Sequence, residues 1–249
     1  MSIPVGAQLY TLRRQMQSPK EIEKTLTKVA EIGYTYIQCS GFKYDAAWMR
    51  ALCDRLGLKV RLTHGSDILG DIENVIRDHK ILGCPYVGVG GMDKKYRSAE
   101  GARKFMKDYT PAMQKLHEAG LKFQYHNHSW EFARFGGERF YDILVSESDP
   151  ALMGFTVDTY WAHYAGMDVA ALARGLKGRI DVCHYKDMIL VDNNEQRFAV
   201  IGDGNMNWEG IIPAFEEAGC QYAFVELDDC YGKDPVEELA RSLRFCEGK

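Results

Sequence analysis

The chain has 249 residues, which is enough for one large α/β domain with a substantial core. Its net charge of −4 argues against a nucleic-acid-binding protein, which needs a basic face to neutralise phosphates. No apolar run approaches membrane-spanning length, no signal peptide is evident, and the seven cysteines are scattered without a CxxC pair. We therefore expect a cytoplasmic protein with reduced thiols and without a nucleic-acid or membrane partner.

Strands and helices alternate along the chain. The first helix has the clearest bounds, because Ser18 suits the N-cap, Pro19 the first helical position and Glu21 a capping box, and Gly33 ends it. Apolar periodicity predicts further helices at 46–56, 71–82, 98–119, 140–147, 169–176, 208–218 and 235–245. Short apolar runs predict strands at 5–10, 34–39, 58–63, 86–90, 121–128, 154–158, 179–185 and 220–228.

Eight strand–helix units of this length predict parallel β-α-β connections. Eight such units in about 250 residues match a TIM barrel, so we expect residues 1–249 to form a single (β/α)8 TIM-barrel domain of the α/β class. A doubly wound open sheet is the alternative. The absence of a G-x-G-x-x-G motif after the first strand lowers that option.

Polar residues occur at nearly every predicted carboxyl end of a strand, where a TIM barrel carries its active site. One histidine there is more often a satisfied structural residue. The segment 126–128 and the nearby Glu131, however, bring two imidazoles, an amide and a carboxylate into one small volume, which favours a binding site. The polar strand ends are Gln8, His64, His126, Asn127, His128, Asp158, His184, Lys186, Asp187, Glu226 and Asp228.

Three of these residues have the chemistry of metal ligands. Asp158, His184 and Glu226 end consecutive strands, so a barrel brings them to one side of its mouth. Two carboxylates and an imidazole suit Mn²⁺, Co²⁺, Zn²⁺ or Mg²⁺, with positions left for substrate oxygens. The structural alternative is that Asp158 caps the next helix, His184 bonds to backbone and Glu226 pairs with a lysine.

The same segments resemble a known family, the sugar phosphate isomerases/epimerases, which are xylose isomerase-like TIM barrels that include ketose 3-epimerases and inosose dehydratases. The resemblance covers almost the whole chain. It is carried by Gln8-Leu-Tyr-Thr-Leu12, Tyr125-His-Asn-His-Ser-Trp-Glu-Phe132, Val157-Asp-Thr-Tyr-Trp-Ala162, His184-Tyr-Lys-Asp187, Gly202-Asp-Gly204 before Trp208, and Val225-Glu-Leu-Asp228.

The resemblance implies a divalent metal held by four groups at the ends of strands five to eight. Asp158, His184 and Glu226 match three of them. The first ligand is a glutamate in the epimerases, and its register here falls on or near Gln124. His126 or Glu131 are the alternatives for this fourth ligand.

The resemblance also implies a mechanism in which two groups on opposite faces of a sugar move a proton at the carbon beside a carbonyl. Glu226 can be one base, and the opposite face would use His126, His128 or Glu131. Lys186 could stabilise the enediolate oxygen or bind an acidic substrate group. Its structural alternative is a surface lysine paired with Asp187.

The remaining candidates are expected to bind substrate. These are Gln8, His64, His126 and Asn127 at strand ends, together with Trp161, whose ring could stack on a sugar. Packing of the barrel top is the alternative for Trp161 and for its aromatic neighbours. The turn at 202–204 is a candidate lid. The loops after strands seven and eight lack a basic glycine-rich phosphate loop, so we expect an unphosphorylated substrate.

Together these features predict a divalent-metal-dependent isomerase or epimerase of a sugar, keto-sugar or cyclitol that forms an enediolate. An inosose-type dehydratase would use the same enediolate and then expel a β-hydroxyl. A non-catalytic sugar-binding barrel with a degenerate metal site is a third hypothesis, suggested by Gln124. A multi-zinc AP endonuclease of the same fold would need a basic DNA groove, which the charge disfavours. A homodimer is possible, although no interface is evident in the sequence.

Overall fold

The computed structural model describes residues 2–65 and 67–248, and these form a closed barrel of eight parallel strands in chain order. The last strand pairs with the first, Ala223 opposite Val5, which closes the cylinder and excludes an open sheet. The predicted TIM barrel is therefore confirmed. The barrel strands are β1 (Val5–Gln8), β2 (Tyr36–Cys39), β3 (Lys59–His64), β4 (Tyr86–Val89), β5 (Lys122–His126), β6 (Met153–Asp158), β7 (Val182–Tyr185) and β8 (Tyr222–Val225).

Helices surround the barrel, and a 3₁₀ helix, Leu9–Gln15, follows β1. The predicted bounds 46–56, 140–147 and 208–218 are confirmed to the residue. The α-helices are α1 (Pro19–Ile32), α2 (Ala46–Leu56), α3 (Ile72–Leu82), α4 (Ala99–Glu118), α5 (Phe140–Glu147), α6 (Thr159–Tyr164), α7 (Val169–Gly175), α8 (Trp208–Ala218) and α9 (Pro235–Cys246). No helix among the described residues is long and apolar enough to cross a membrane.

The predicted start of α1 is confirmed with one difference. The Ser18 hydroxyl accepts the backbone N–H of Glu21 at 3.3 Å, as a helix N-cap does. The carboxylate of Glu21 accepts from the backbone N–H of Gln17 at 3.0 Å, one residue before the position that a capping box uses.

The interior of the barrel is layered, and the layers explain where the polar residues lie. Side chains two residues apart on a strand point to the same face. Leu62, Val182 and Phe224 form a buried apolar cluster inside the barrel, separate from the larger core. Two residues further along the same strands come His64, His184 and Glu226. The apolar layer therefore supports a polar layer at the carboxyl end.

A hairpin that the sequence analysis missed follows β7, with antiparallel strands Asp187–Leu190 and Gln196–Ala199. The Asp187 carboxylate anchors the turn at 202–204, because it accepts from the backbone N–H of Gly202 at 2.8 Å and from the indole N–H of Trp208 at 2.7 Å. It also accepts from the backbone N–H of Gly204 at 3.1 Å. A Cβ at Gly204 would lie 2.3 Å from Asp187 Oδ1, so the turn needs glycine there.

Replacing Asp187 by alanine should lower the free energy of unfolding by about 2–4 kcal/mol, because several N–H donors lose their acceptor at once. Urea unfolding followed by circular dichroism measures this. Asp192→Ala, at the exposed tip of the same hairpin, is the matched control and should change stability by less than about 0.5 kcal/mol. Equal stability of the two variants would show that the carboxylate does not anchor the turn.

Candidate metal and active site

Four side chains from consecutive strands meet at the carboxyl end of the barrel. His126 and Asp158 end β5 and β6, His184 is the penultimate residue of β7, and Glu226 directly follows β8. All four are buried, and candidate ligand atoms from the four lie within 4.8 Å of one another. His184 Nδ1 is 3.0 Å from Glu226 Oε2 and 3.5 Å from Asp158 Oδ2, and His126 Nε2 is 3.2 Å from the same Asp158 oxygen.

The donor atoms of this cluster fit a divalent cation. Two imidazoles and two carboxylates form a ligand set that Zn²⁺, Mn²⁺ and Co²⁺ accept. Among the described residues, His184 Nδ1 and Glu226 Oε2 are buried atoms without a hydrogen-bond partner. Buried polar atoms are normally satisfied, so two unsatisfied donor atoms that face each other indicate a place for a cation.

The charges around the cluster also favour a divalent cation. Lys186 Nζ lies 3.2 Å from Asp158 Oδ2, 3.2 Å from Glu226 Oε2 and 2.8 Å from Asp228 Oδ1. Three carboxylates against one ammonium leave two negative charges when the histidines are neutral, and one divalent cation would balance them. The alternative of a surface lysine paired with Asp187 is wrong. Lys186 is only 1% exposed, and its ion pairs are with the three carboxylates just named.

The same contacts shift the ionisation of the cluster. Burial acts to raise the pKa of Asp158, but Lys186 and the two neighbouring histidines more than offset it and hold that pKa well below its usual value. Burial likewise acts to lower the pKa of Lys186, yet the facing carboxylates raise it above its usual value. Both carboxylates of the cluster are therefore charged at neutral pH, as metal ligands must be.

A small cavity of about 200 Å³ opens beside the cluster. Of the predicted substrate-binding and catalytic residues, Gln8, His64, His126, His128, Lys186 and Glu226 line it. Tyr10, Ser40, Gly90 and Asp228 complete the lining. The first three were not predicted, and Asp228 was predicted only as a polar strand end without a role. A larger open depression of about 640 Å³ lies between α1 and the start of α9 and contains none of the four cluster residues.

Gln38 is the main functional candidate that the sequence analysis missed. Its buried amide lies near the end of β2 and contacts two histidines of the polar layer. Its oxygen accepts from His184 Nε2 at 2.8 Å, and its nitrogen lies 3.1 Å from His64 Nε2. The available signal was strand alternation, since Gln38 stands two residues after Tyr36, which packs against the inner apolar cluster.

The expectation that Gln124 is a metal ligand is wrong. Its amide N–H donates to Asp181 Oδ2 at 2.7 Å, away from the cluster. Gln124 and His126 point to the same face of β5, but Gln124 lies one layer deeper in the barrel. Of the three alternatives for the fourth ligand, only His126 joins the other three residues among the described part of the chain.

Glu131 also lies outside the pocket, which corrects its expected place beside the substrate. Its two oxygens accept from the Tyr125 hydroxyl at 3.1 Å and from the backbone N–H of His128 at 2.9 Å. The Tyr125 ring packs on Phe105 and Phe140 from the surrounding helices. Glu131 therefore holds the loop after β5 in place from behind the strand.

Asn127 and Trp161 lie around the site but not in the lining of the cavity. The Asn127 side-chain oxygen accepts from the backbone N–H of Asp158 at 3.0 Å and so joins the ends of β5 and β6. The ring of Trp161 lies beside His128, with centroids 5.6 Å apart, and 5.7 Å from Lys186 Nζ. Asp158 also caps α6, as its structural alternative in the sequence analysis proposed, because Asp158 Oδ1 accepts from the backbone N–H of Trp161 at 3.0 Å.

Glu131 should make stability depend on pH. Burial raises the pKa of Glu131 from 4.5 to about 7. Because the folded protein binds this proton more tightly than the unfolded chain, the stabilisation is full below about pH 4.5 and is lost as pH rises through about 7. In Glu131→Gln the drop in unfolding free energy between pH 5 and pH 8 should be smaller than in the unmodified protein by about 2–3 kcal/mol.

Urea unfolding at both pH values measures this drop. The variant Glu209→Gln, at an exposed glutamate, is the control and should behave like the unmodified protein. Equal drops in all three proteins would contradict the assignment.

Solved structures share this architecture. The chain is 23% identical to a sugar phosphate isomerase/epimerase from Parabacteroides distasonis ATCC 8503, with a TM-score of 0.83 over 97% of this chain and 96% of that one. It is 15% identical to the IOLI protein, solved with a bound zinc atom, with a TM-score of 0.73 over 98% and 96%. It is 15% identical to L-ribulose 3-epimerase, with a TM-score of 0.69 over 99% and 93%. Identities this low show the fold alone.

No curated protein sequence matches the chain. A family model does, and it covers most of the sequence. The model described as xylose isomerase-like TIM barrel matches residues 26–248, which include every residue of the cluster and Lys186. The chain therefore belongs to the xylose isomerase-like TIM barrel family.

Proposed function

We propose that this protein is a divalent-metal-dependent isomerase or epimerase that acts next to the carbonyl of an unphosphorylated sugar, keto-sugar or cyclitol through an enediolate. The observation that carries the proposal is the buried cluster of His126, Asp158, His184 and Glu226, with Lys186 against two of its carboxylates and a polar cavity beside it. Solved structures named as a sugar phosphate isomerase/epimerase and as L-ribulose 3-epimerase support the proposed reaction type. We also propose that it works in the cytoplasm, and a homodimer remains a prediction.

The cavity supports the choice of substrate class. Its lining is mostly hydroxyl, amide, imidazole and carboxylate groups, which suit a small molecule rich in hydroxyls. Lys186 is the one lysine or arginine in that lining among the described residues, and it is already paired with three carboxylates. A phosphate group would find no free cation there, which favours an unphosphorylated substrate.

The side chains that face the cavity supply the proton chemistry. A divalent ion held by the four cluster residues would polarise the substrate carbonyl and offset the charge of the enediolate. Glu226 Oε2 can accept a proton on one face of the substrate. His128 also lines the cavity, and burial, followed by the neighbouring His126, lowers its pKa to about 3, so its imidazole is neutral and can accept a hydrogen bond from a substrate hydroxyl. Lys186 Nζ, held by three carboxylates, would act through its positive charge near the oxygen that becomes negative.

A dehydratase is the second candidate, and Asp228 is the observation that favours it. Its carboxylate lines the cavity 2.8 Å from Lys186 Nζ, and burial raises its pKa to about 6. A fraction of this group therefore carries a proton at neutral pH. It could give that proton to a departing β-hydroxyl after the same enolisation.

The test is incorporation of deuterium. Purified protein with Mn²⁺ or Co²⁺ is incubated in D₂O with keto-sugars and keto-cyclitols, and NMR and mass spectrometry follow the carbon beside the carbonyl. We expect deuterium at that carbon. Loss of one water from the product would identify the dehydratase, and retention of all oxygens the isomerase or epimerase.

Asp158→Asn is the critical variant. It should lower the affinity for the divalent cation by at least about 100-fold and abolish incorporation, because it removes a charged ligand. Asp168→Asn is the matched control, since Asp168 caps α7 far from the cluster and asparagine caps equally well. A sugar that binds equally well to Asp158→Asn, with no incorporation by any of the proteins, would instead show a sugar-binding barrel.

A further inference from the structure

Gln38 lies between two histidine rings, and its amide uses both ends. The amide oxygen lies 2.8 Å from His184 Nε2, and the amide nitrogen lies 3.1 Å from His64 Nε2. An amide oxygen can only accept a hydrogen bond and an amide nitrogen can only donate one. His184 must therefore carry a proton on Nε2, and His64 Nε2 must present a lone pair.

These two contacts determine the free nitrogen of each ring, because a neutral imidazole carries one N–H and one lone pair. On His184 the free nitrogen is Nδ1, which lies 3.0 Å from Glu226 Oε2 and 3.5 Å from Asp158 Oδ2. Burial acts to lower the pKa of His184, but these two carboxylates raise it, so Nδ1 can hold a proton until a cation replaces it. On His64 the proton is left on Nδ1. That nitrogen lies beside Gly90, where a Cβ would be 3.1 Å from it, and both residues line the cavity.

The packing holds the His64 ring in this orientation. A Cβ at Gly88 would lie 2.7 Å from His64 Cδ2, so the ring occupies space that only a glycine in β4 leaves open. Gln38 is itself fully buried, so water does not compete for its amide. The two rings are therefore held by one rigid group between them.

We propose that Gln38 is a positioning residue that sets both histidines at once. It leaves Nδ1 of His184 as the ring nitrogen that binds the divalent ion, and it makes Nδ1–H of His64 a hydrogen-bond donor to a carbonyl or hydroxyl oxygen of the substrate. Only the identity of that acceptor as a substrate oxygen rests on the proposed function. The amide thus couples the metal site to substrate recognition through a single side chain on β2.

Two substitutions separate the two roles. In Gln38→Glu the carboxylate still accepts from His184 Nε2–H, so the affinity for Zn²⁺ should be unchanged or higher. A carboxylate cannot donate to His64, so the His64 proton should move to Nε2 and the donor to the substrate should be lost. In Gln38→Leu both contacts are lost, and the affinity for Zn²⁺ should fall about 10–100-fold.

The readouts are the ¹⁵N spectrum of the histidine side chains, assigned with a His64→Gln variant, and calorimetric titration with Zn²⁺. In the metal-free protein we expect His184 protonated on Nε2 and His64 on Nδ1. Gln38→Glu should show the altered His64 tautomer and a raised KM for any substrate that incorporates deuterium. Gln221→Leu, an exposed glutamine, is the control and should change neither spectrum nor affinity.

Absence of a proton from His184 Nε2 in the metal-free protein would overturn the proposal. An unchanged Zn²⁺ affinity in Gln38→Leu, or an unchanged His64 tautomer in Gln38→Glu, would do the same. The spectra and the titration need no sugar. Failure to find turnover therefore counts against the proposed function alone, and failure of the tautomer assignment leaves the proposed function standing.

Discussion

The site depends on three carboxylates, two of them buried, around one buried ammonium at the carboxyl end of the barrel. Asp158, Glu226 and Asp228 all lie within 3.2 Å of Lys186 Nζ. Removing charges from water is costly unless partners inside the protein replace the solvent. The barrel supplies one positive charge for three negative ones, and the remaining imbalance is what makes a divalent cation the natural occupant.

Asp187 shows that this chain can bury a carboxylate in another way. Its oxygens accept N–H groups from Met188, Gly202, Gly204 and Trp208, so hydrogen bonds satisfy the charge without a metal. Glu226 Oε2, only one strand away in the barrel, accepts no backbone N–H and instead lies 3.2 Å from Lys186 Nζ and 3.0 Å from His184 Nδ1. Asp187 is therefore a structural anchor, whereas Glu226 is a candidate metal ligand.

The alternation of strands and helices could be predicted from local sequence pattern. The meeting of the three candidate ligands Asp158, His184 and Glu226 could also be predicted, because it follows from the geometry of a parallel barrel. Gln124 was misplaced because a motif was transferred by register, whereas layering inside the barrel decides which side chain reaches the mouth. Gln38 was missed because an uncharged amide in a short apolar strand gives little signal. Its role depends on His184, 146 residues away in the chain.

Family and fold do not determine the substrate of this protein, since the solved relatives described above are at most 23% identical and one fold can host many activities. Substrate specificity must therefore come from the residues that line the cavity but do not belong to the four-residue cluster. Tyr10, Ser40, His64 and His128 come from four different strand ends or loops. Tyr10 and Ser40 can change without disturbing the candidate ligands, whereas His64 reaches His184 through Gln38 and His128 packs on His126.

The central claim is that His126, Asp158, His184 and Glu226 hold one divalent ion. X-ray absorption spectroscopy of the protein loaded with one equivalent of Co²⁺ or Zn²⁺ tests it most directly. The claim predicts a spectrum with two imidazole ligands and carboxylate oxygens at about 2.0–2.2 Å, and the loss of one imidazole in His126→Ala. A spectrum without imidazole scattering, or one unchanged by that substitution, would contradict it.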